Sequence, residues 1–297
     1  MRASPAHGTA RIVGQVTQLR RYPVKSMLGE EVRAAEVTSR GILGDRAYAL
    51  VDRETGRVAS AKRPHLWRRL LACAAEMLPA GAAADGRPAV RIALPDGRAF
   101  RNTEPGLEEA LSELLGRRVS LVAEPPAEAQ LERADPEEVL LKGTAADVPF
   151  SVGPLGAGSP AGTFFDFAPV HLITTATLSR LAAWSRRGKA EAVRFRPNIV
   201  VDTAPARDAF LENEWVGSVL QVGADVLLRV VVPTPRCAVP TLAHGDLPDD
   251  PEPLRVAAQH NRVPIPGLGP LPCVGIYAQV VRPGRVSEGD PVYLLPG

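Results

Sequence analysis

Cys237 stands in the stretch PTPRCAVPT, directly after the apolar run Val226 to Val232, with Arg236 beside it and prolines before and after. Prolines restrict the backbone on both sides, so a thiol at the end of a strand here is held in place while it stays reachable. An arginine turned the same way would favour the thiolate, the form that attacks electrophiles and binds soft metals. Position alone leaves a second reading open, that of a small buried apolar residue. Cys73 in RRLLACAAEML and Cys273 in LPCVGIYA lie inside apolar runs and fit burial better.

Three further stretches place polar groups where a ligand would use them. YPVKSMLGEE puts Lys25 and Ser26 at the end of a first strand, and GILGDRAYAL puts Asp45 and Arg46 at the start of another, behind two glycines. An ammonium, a short hydroxyl donor and a bidentate fork are what a phosphate-bearing ligand requires, although each residue alone also fits a solvated turn. In RFRPNIVV the residues Arg194, Arg196 and Asn198 alternate, which predicts one face of a strand, either an exposed edge or a pocket wall. Cys237 with His244 offers a thiol and a base without an orienting third group. His171, His260 and the acidic stretch GDLPDDPEP read as helix or surface polar groups and an exposed turn.

The elements that must position these groups are mostly strands. With 26 glycines, 29 prolines and only 5% aromatics among 297 residues, the composition favours short strands and turns over long helices. Residues 11–60 read as strands, with a hairpin in RAYALVDRETGRVAS and another in AVRIALPDGRAFR turning at Pro95-Asp-Gly97. PGLEEALSELLGR spaces Leu107, Leu111, Leu114 and Leu115 on one helix face and stops at Gly116. A polar, Pro/Gly/Ala-rich segment from about 124 to 163 marks a boundary, cut near 148. Beyond it, HLITTATLSRLAAWS predicts a helix bearing Leu172, Leu178 and Leu181. FRPNIVVD, VLLRVVVPT and CVGIYAQVV predict strands, EPLRVAAQHN a short helix, and a last strand comes after GRVSEGDPV.

The totals exclude several classes. A net charge of +2, from 35 basic and 33 acidic residues, gives no broad footprint for nucleic acid or an anionic membrane. No apolar run reaches the length of a membrane span, and Met1 to Ala10 lacks the apolar core of a signal peptide, so a cytoplasmic protein without membrane partners is expected. Three scattered cysteines without a CxxC pair argue against disulfides, a zinc ribbon or an intrinsic iron–sulfur cluster. GxGxxG after a strand, Walker, HExxH and GxSxG sequences are absent.

Taken in order, LRRYPVKSM, RGILGDRAYALVD, FRPNIVVD, PTPRC and GIYAQVVRPGRVSEGDPVYLL resemble the MOSC domain proteins that carry an N-terminal MOSC β-barrel domain, the amidoxime-reducing components and their bacterial relatives. The resemblance spans about residues 11 to 295. It implies an α+β, β-rich fold: an N-terminal β-barrel-like domain at 11–147, then a β-barrel MOSC domain at 148–297 with a few short helices. It also implies a molybdenum cofactor (Mo-molybdopterin) between the domains, with Cys237 as metal ligand and catalytic centre, a role that suits a soft thiolate. Lys25, Ser26 and Arg46 match positions that bind the cofactor phosphate and pterin. Arg196 and Asn198 match the Arg-Pro-Asn that contacts the pterin, and Arg236 adjoins the ligand. Asp166, Thr174, Thr175 and Ser60 are further candidates by the same resemblance. After the cysteine, AVPTLAHGDLPDDPEP departs from the family's usual run and would shape the substrate mouth.

The function so implied is reduction of a small N-oxygenated (N-hydroxylated) substrate. No cysteine cluster lies beyond the last predicted strand, so electrons would come from a separate donor protein, a ferredoxin, cytochrome or flavin reductase. Two alternatives stay open: a carrier of molybdenum cofactor or of persulfide sulfur on Cys237, and a metal-free thiol enzyme.

Overall fold

Short β-branched runs separated by glycine and proline turns give this chain more strand than helix. In the computed structural model, which describes residues 10–79, 87–203 and 210–296, seven of these strands close into a barrel. They are β1 (Arg11–Arg21), β2 (Val170–Thr174), β3 (Ile199–Asp202), β4 (Val219–Val222), β5 (Val226–Pro235), β6 (Gly269–Arg282) and β7 (Pro291–Leu294). The order round the ring is β2-β3-β1-β7-β4-β5-β6, and β6 returns to β2. Seven strands cannot alternate in direction all the way round a closed ring. The mismatch falls between β2 and β3, which run parallel, while the other neighbours are antiparallel. A parallel pair needs a crossover connection. The helices Thr175–Trp184 and Ala192–Phe195 lie in it.

Inward-facing Val16, Leu19, Leu172, Ile199, Val230 and Ile276 fill the barrel. A second core, with Met27, Leu50, Trp67, Ile92 and Leu111, lies beneath small sheets from the first half of the chain. Ala49–Asp52 pairs with Val119–Val122, and Ala74–Met77, Val90–Ala93 and Ala99–Arg101 form a three-stranded sheet. The helix Leu107–Leu115 buries Leu107, Leu111 and Leu115 and ends at Gly116, whose φ of 67° is left-handed, so the helix stop read from sequence stands. The fold is β-rich with few helices.

The two cores are threaded through each other. Strand β1, on the amino side of position 148, pairs with β3 and β7, and Ala34–Thr38 pairs with Gly284–Ser287. The barrel therefore takes strands from both sides of 148. Residues 1–9, to which the signal-peptide argument applied, and Gly297 lie outside the described residues.

Two local expectations change. The segment HLITTATLSRLAAWS is a buried strand as far as Thr174 and a helix only from Thr175; Leu172 belongs to the barrel interior. A continuous apolar stretch is compatible with either element. Likewise Arg194, Arg196 and Asn198 do not alternate along a strand, because Ala192–Phe195 is a helical turn, Arg196 is left-handed at φ 56°, and β3 begins at Ile199. Pro197 has no N–H to give a strand ladder and disfavours a helical residue before it, so the turn ends there.

At the far end of β5, Pro233 and Pro235 are accommodated by shifts in its register with β6. Prolines inside a sheet are tolerated at such bulges, which also re-aim the chain beyond them. The residues re-aimed here are Arg236 and Cys237.

The barrel wall is tight where β6 passes β2. At Gly275, φ is +73°, and an added Cβ would lie 2.5 Å from the Leu172 carbonyl oxygen and 2.6 Å from His171 Nε2. Gly275→Ala should cost about 3 kcal/mol, combining left-handed strain with overpacking. Denaturant unfolding of the variant beside wild type measures it.

Candidate functional site

Where β1 leaves the barrel for the second core, the chain runs through Tyr22, Lys25 and Ser26, and the same junction receives the turn at Asp45–Arg46, the turn before β3 and the end of β5. These segments line one partly open cleft with a cavity volume of about 80 Å³. Lys25, Ser26, Arg46, Ser60, Asp166, Arg196, Asn198, Arg236 and Cys237 all line it. Thr174 and Thr175 do not. Thr174 caps the helix Thr175–Trp184 and donates to buried Glu212 at 2.8 Å, while Thr175 donates to Asp202 at 2.9 Å. Both sit at the end of β2 that leads into the crossover helix, and their hydroxyls serve that connection.

Backbone strain concentrates here. Ser26 (φ 64°), Arg46 (φ 49°) and Arg196 (φ 56°) are left-handed without being glycine. Such conformations cost roughly 1–3 kcal/mol each and persist where the surroundings over-determine them. Each holds a polar side chain toward the cleft.

Asp45 explains how the arginines are tolerated. Its side chain is fully buried and accepts from Tyr22 N at 2.7 Å, from Asn198 Nδ2 at 3.0 Å and from the Arg46 guanidinium. Arg46 and Arg196 both lie over the Tyr22 ring, 4.5 and 4.3 Å from its centroid, a cation–π arrangement that helps to hold two cations together. Asn198 donates also to Arg20 O at 3.2 Å and accepts from His171 N at 3.1 Å. Its amide N–H groups are thus spent on the protein, which makes Asn198 a bracket for β1, β2 and Asp45.

Arg196 is different. Its two terminal nitrogens are buried and have no partner among the described residues. Burial, with Arg46 alongside, pushes its guanidinium down to about 10. It remains charged near neutral pH, and a buried cation with unused donors calls for an anion or a polar ring edge to complete it.

A second cationic group lies around Asp166. Lys25 Nζ donates to Phe164 O at 2.8 Å and to Asp166 Oδ1 at 2.7 Å, and Lys62 Nζ reaches the same oxygen at 3.2 Å. Burial pushes Lys25 down to about 8 against the pull of Asp166. Burial acts to raise Asp166, but the Lys25 and Lys62 charges outweigh it and hold the carboxyl well below the usual carboxylate range. Asp166 is the one acid among many cations lining the cleft. The site is built for negative charge, in a protein whose overall charge is only +2.

Arg236 donates to Thr234 O, Phe195 O and His171 Nε2 at 3.1, 3.0 and 3.3 Å. It therefore anchors the loop that carries Cys237. Burial and the Arg236 charge push His171 well below its ordinary value, so the ring is neutral. His171, read from sequence as helix or surface, is instead a buried strand residue at the cleft. Arg194 is wholly buried and spent on Leu242 O, Pro248 O and Glu191. It ties down the 242–248 loop.

Cys73 and Cys273 are buried, and burial raises their thiols to about 12 and about 11. Cys237 is the cysteine left partly exposed. His244 does not line the cleft; its Nδ1 lies 2.8 Å from Leu242 O, and burial lowers it to about 4. No group of three or more His, Cys, Asp or Glu among the described residues could cage a metal. Sequence reasoning passed over Lys62, whose only signal is its place two residues after Ser60, and Tyr277, hidden in an apolar strand.

A family model for the MOSC N-terminal beta barrel domain matches residues 13–109, and one for the MOSC domain matches residues 160–293. The chain is 27% identical over 291 residues to the mitochondrial amidoxime-reducing component 1 of Homo sapiens, covering 95% of this chain and 83% of the relative. It is 28% identical over 305 residues to the mouse protein of the same name, with the same coverage. Among solved structures, the YUAD protein of Bacillus subtilis aligns over 96% of this chain and 98% of its own at 13% identity and a TM-score of 0.45. No helix among the described residues is long and apolar enough to cross a membrane.

Two outcomes are expected from these charges. Asp45→Asn leaves Arg46 buried without its counter-charge and should destabilise the fold by about 3–5 kcal/mol in denaturant unfolding. Because Lys25 is charged below about pH 8 and neutral above it, sulfate should stabilise the ligand-free protein well at about pH 7 and less at about pH 9. Thermal unfolding with and without sulfate measures this, and Lys25→Gln should flatten the difference.

Proposed function

Since the chain carries a MOSC N-terminal beta barrel domain followed by a MOSC domain and so belongs to the MOSC family, we propose that its cleft holds a molybdenum cofactor and reduces small N-oxygenated compounds. Amidoximes and N-hydroxylated bases are the substrate class, after the reaction in the relatives' names. A separate ferredoxin, cytochrome or flavin reductase supplies the electrons.

The observation that carries the proposal is the buried Arg196 guanidinium with two unpartnered nitrogens, in the same cleft as the accessible Cys237 thiol. A pterin edge or phosphate would complete the first, and a soft metal would take the second. Cys237 gives one thiolate and the described residues offer no metal cage, which suits a metal brought in by a dithiolene. Lys25, Ser26 and Arg46 would hold the terminal phosphate. The Ser26 hydroxyl accepts from Ala61 N at 3.0 Å and keeps its own proton to donate. Ser60 accepts from Lys62 N at 3.3 Å and fixes the turn opposite.

When bound, the cofactor supplies the two-electron chemistry that, with two protons, converts an N–OH group to N–H and water. The chain's own groups bind, orient and dry the site. Arg236 anchors the backbone before Cys237 through its bonds to Thr234 and Phe195 carbonyls. Phe165, Val239 and Pro240 line the cleft with apolar surface. Tyr277 stays a phenol at neutral pH because burial raises it further.

Purification from a host that makes the cofactor should give near-stoichiometric molybdenum and pterin. Cys237→Ala should lower the metal content and bring reduction of an aryl amidoxime with an artificial donor to background, with unfolding free energy changed by less than about 1 kcal/mol. Full turnover in metal-loaded Cys237→Ala would refute the assignment. Bound cofactor without turnover, released to an acceptor protein, would instead assign carriage of cofactor or sulfur.

A further inference from the structure

The cations around the cleft differ in how much donor capacity they have left. Arg46 is paired with buried Asp45, Arg194 with Glu191 and two carbonyls, and Arg236 with two carbonyls and a ring nitrogen. Lys25 has a carbonyl and a carboxylate at short distance. Arg196 keeps two free nitrogens, and the proposed cofactor uses them. Setting aside Lys25, Arg46 and Arg196, which the proposed cofactor uses, Lys62 is the cation in the cleft with capacity to spare. Its ammonium has a single polar contact among the described residues, 3.2 Å to an Asp166 oxygen that Lys25 already holds at 2.7 Å.

Lys62 also lies toward the open side. Its side chain is 15% exposed against 5% for Lys25, and Asp166 is 31% exposed. Lys62 lines the same cleft as Cys237 and Tyr277. The apolar faces of Phe165, Val239 and Pro240 border the same space. A second anion is therefore wanted near the thiol, distinct from the one that completes Arg196.

We propose that Lys62 is a substrate anchor that selects N-oxygenated compounds bearing a carboxylate on an apolar body, the carboxylate replacing Asp166 at its ammonium. This deepens the reductase proposal and rests on it for the reacting group. A charge-assisted bond formed with a half-used ammonium gains specificity without stripping the buried Lys25 of its partner. Asp166, held between two lysines, is the internal competitor that keeps Lys62 paired until the substrate arrives.

The test uses the cofactor-loaded protein and two kinds of probe. Calorimetry measures binding of benzoate, and steady-state assays compare an aryl amidoxime with its para-carboxylated form. Lys62→Gln should weaken benzoate binding about ten-fold, Lys62→Arg should restore most of it, and Asp166→Asn should strengthen it. The ratio of kcat/KM for carboxylated over plain amidoxime should fall in Lys62→Gln and invert in Lys62→Glu. Unchanged benzoate affinity in Lys62→Gln overturns the proposal. So does loss of pterin and molybdenum in that variant, which would make Lys62 a cofactor contact. If Lys62→Gln does not fold, weaker or equal benzoate binding in Asp166→Asn overturns it. Should the loaded wild type reduce neither amidoxime, the reductase proposal fails, while benzoate binding still decides the role of Lys62.

Discussion

The carboxylate of Asp45 is the interaction on which the site depends. It is fully buried, yet three donors meet it, from the chain leaving β1, from the turn before β3 and from the adjacent Arg46. Without it, two largely buried guanidiniums over one tyrosine ring would repel each other. With it, one arginine is neutralised and the other is left charged and unsatisfied. That imbalance is the chemical content of the cleft: a fixed, buried positive charge that an incoming anion completes.

The ring of strands sets the geometry around that charge. Seven strands force one parallel contact, and its crossover leads into the turn where Arg196 sits. The barrel takes its first strand from the beginning of the chain and hands that chain straight to the second core through Tyr22, Lys25 and Ser26. The cleft is thus bounded by backbone passing from one core to the other. Asn198 ties three of these segments with one amide.

Much of this was legible in the sequence, and the parts that were not share a cause. Cys237, Lys25, Ser26 and Arg46 declared themselves because a polar group at the end of an apolar strand, beside proline or glycine, has a local signature. Composition likewise pointed to strands, and the spacing of Leu107, Leu111 and Leu115 to a helix ending at Gly116. Arg194 misled because Pro197 breaks a pattern that looks alternating on paper. Thr174 and Thr175 lay near a motif but at the end of β2 that enters the crossover helix, and their hydroxyls cap and brace it. His171 and Lys62 were missed since nothing local marks them. Their contacts in the cleft are with Arg236 and Asp166, 65 and more than a hundred residues away. Such pairings belong to topology, which residue types and spacing do not encode one segment at a time.

The pairing of β1 with β7 has a temporal meaning. Residues Arg11 and Leu294 are neighbours in the barrel wall, so the ring cannot close before Pro291–Leu294 has been synthesised. Contacts this distant in sequence form slowly, and unpaired strand edges wait in the meantime. The first half, with its own core, can collect early, whereas β1 must wait for β7. Because the cleft borrows walls from both parts, it is complete only when both have come together. Whatever ligand the cleft takes can enter only once that distant pairing has formed, so the supply of filled protein would be set by folding as well as by expression.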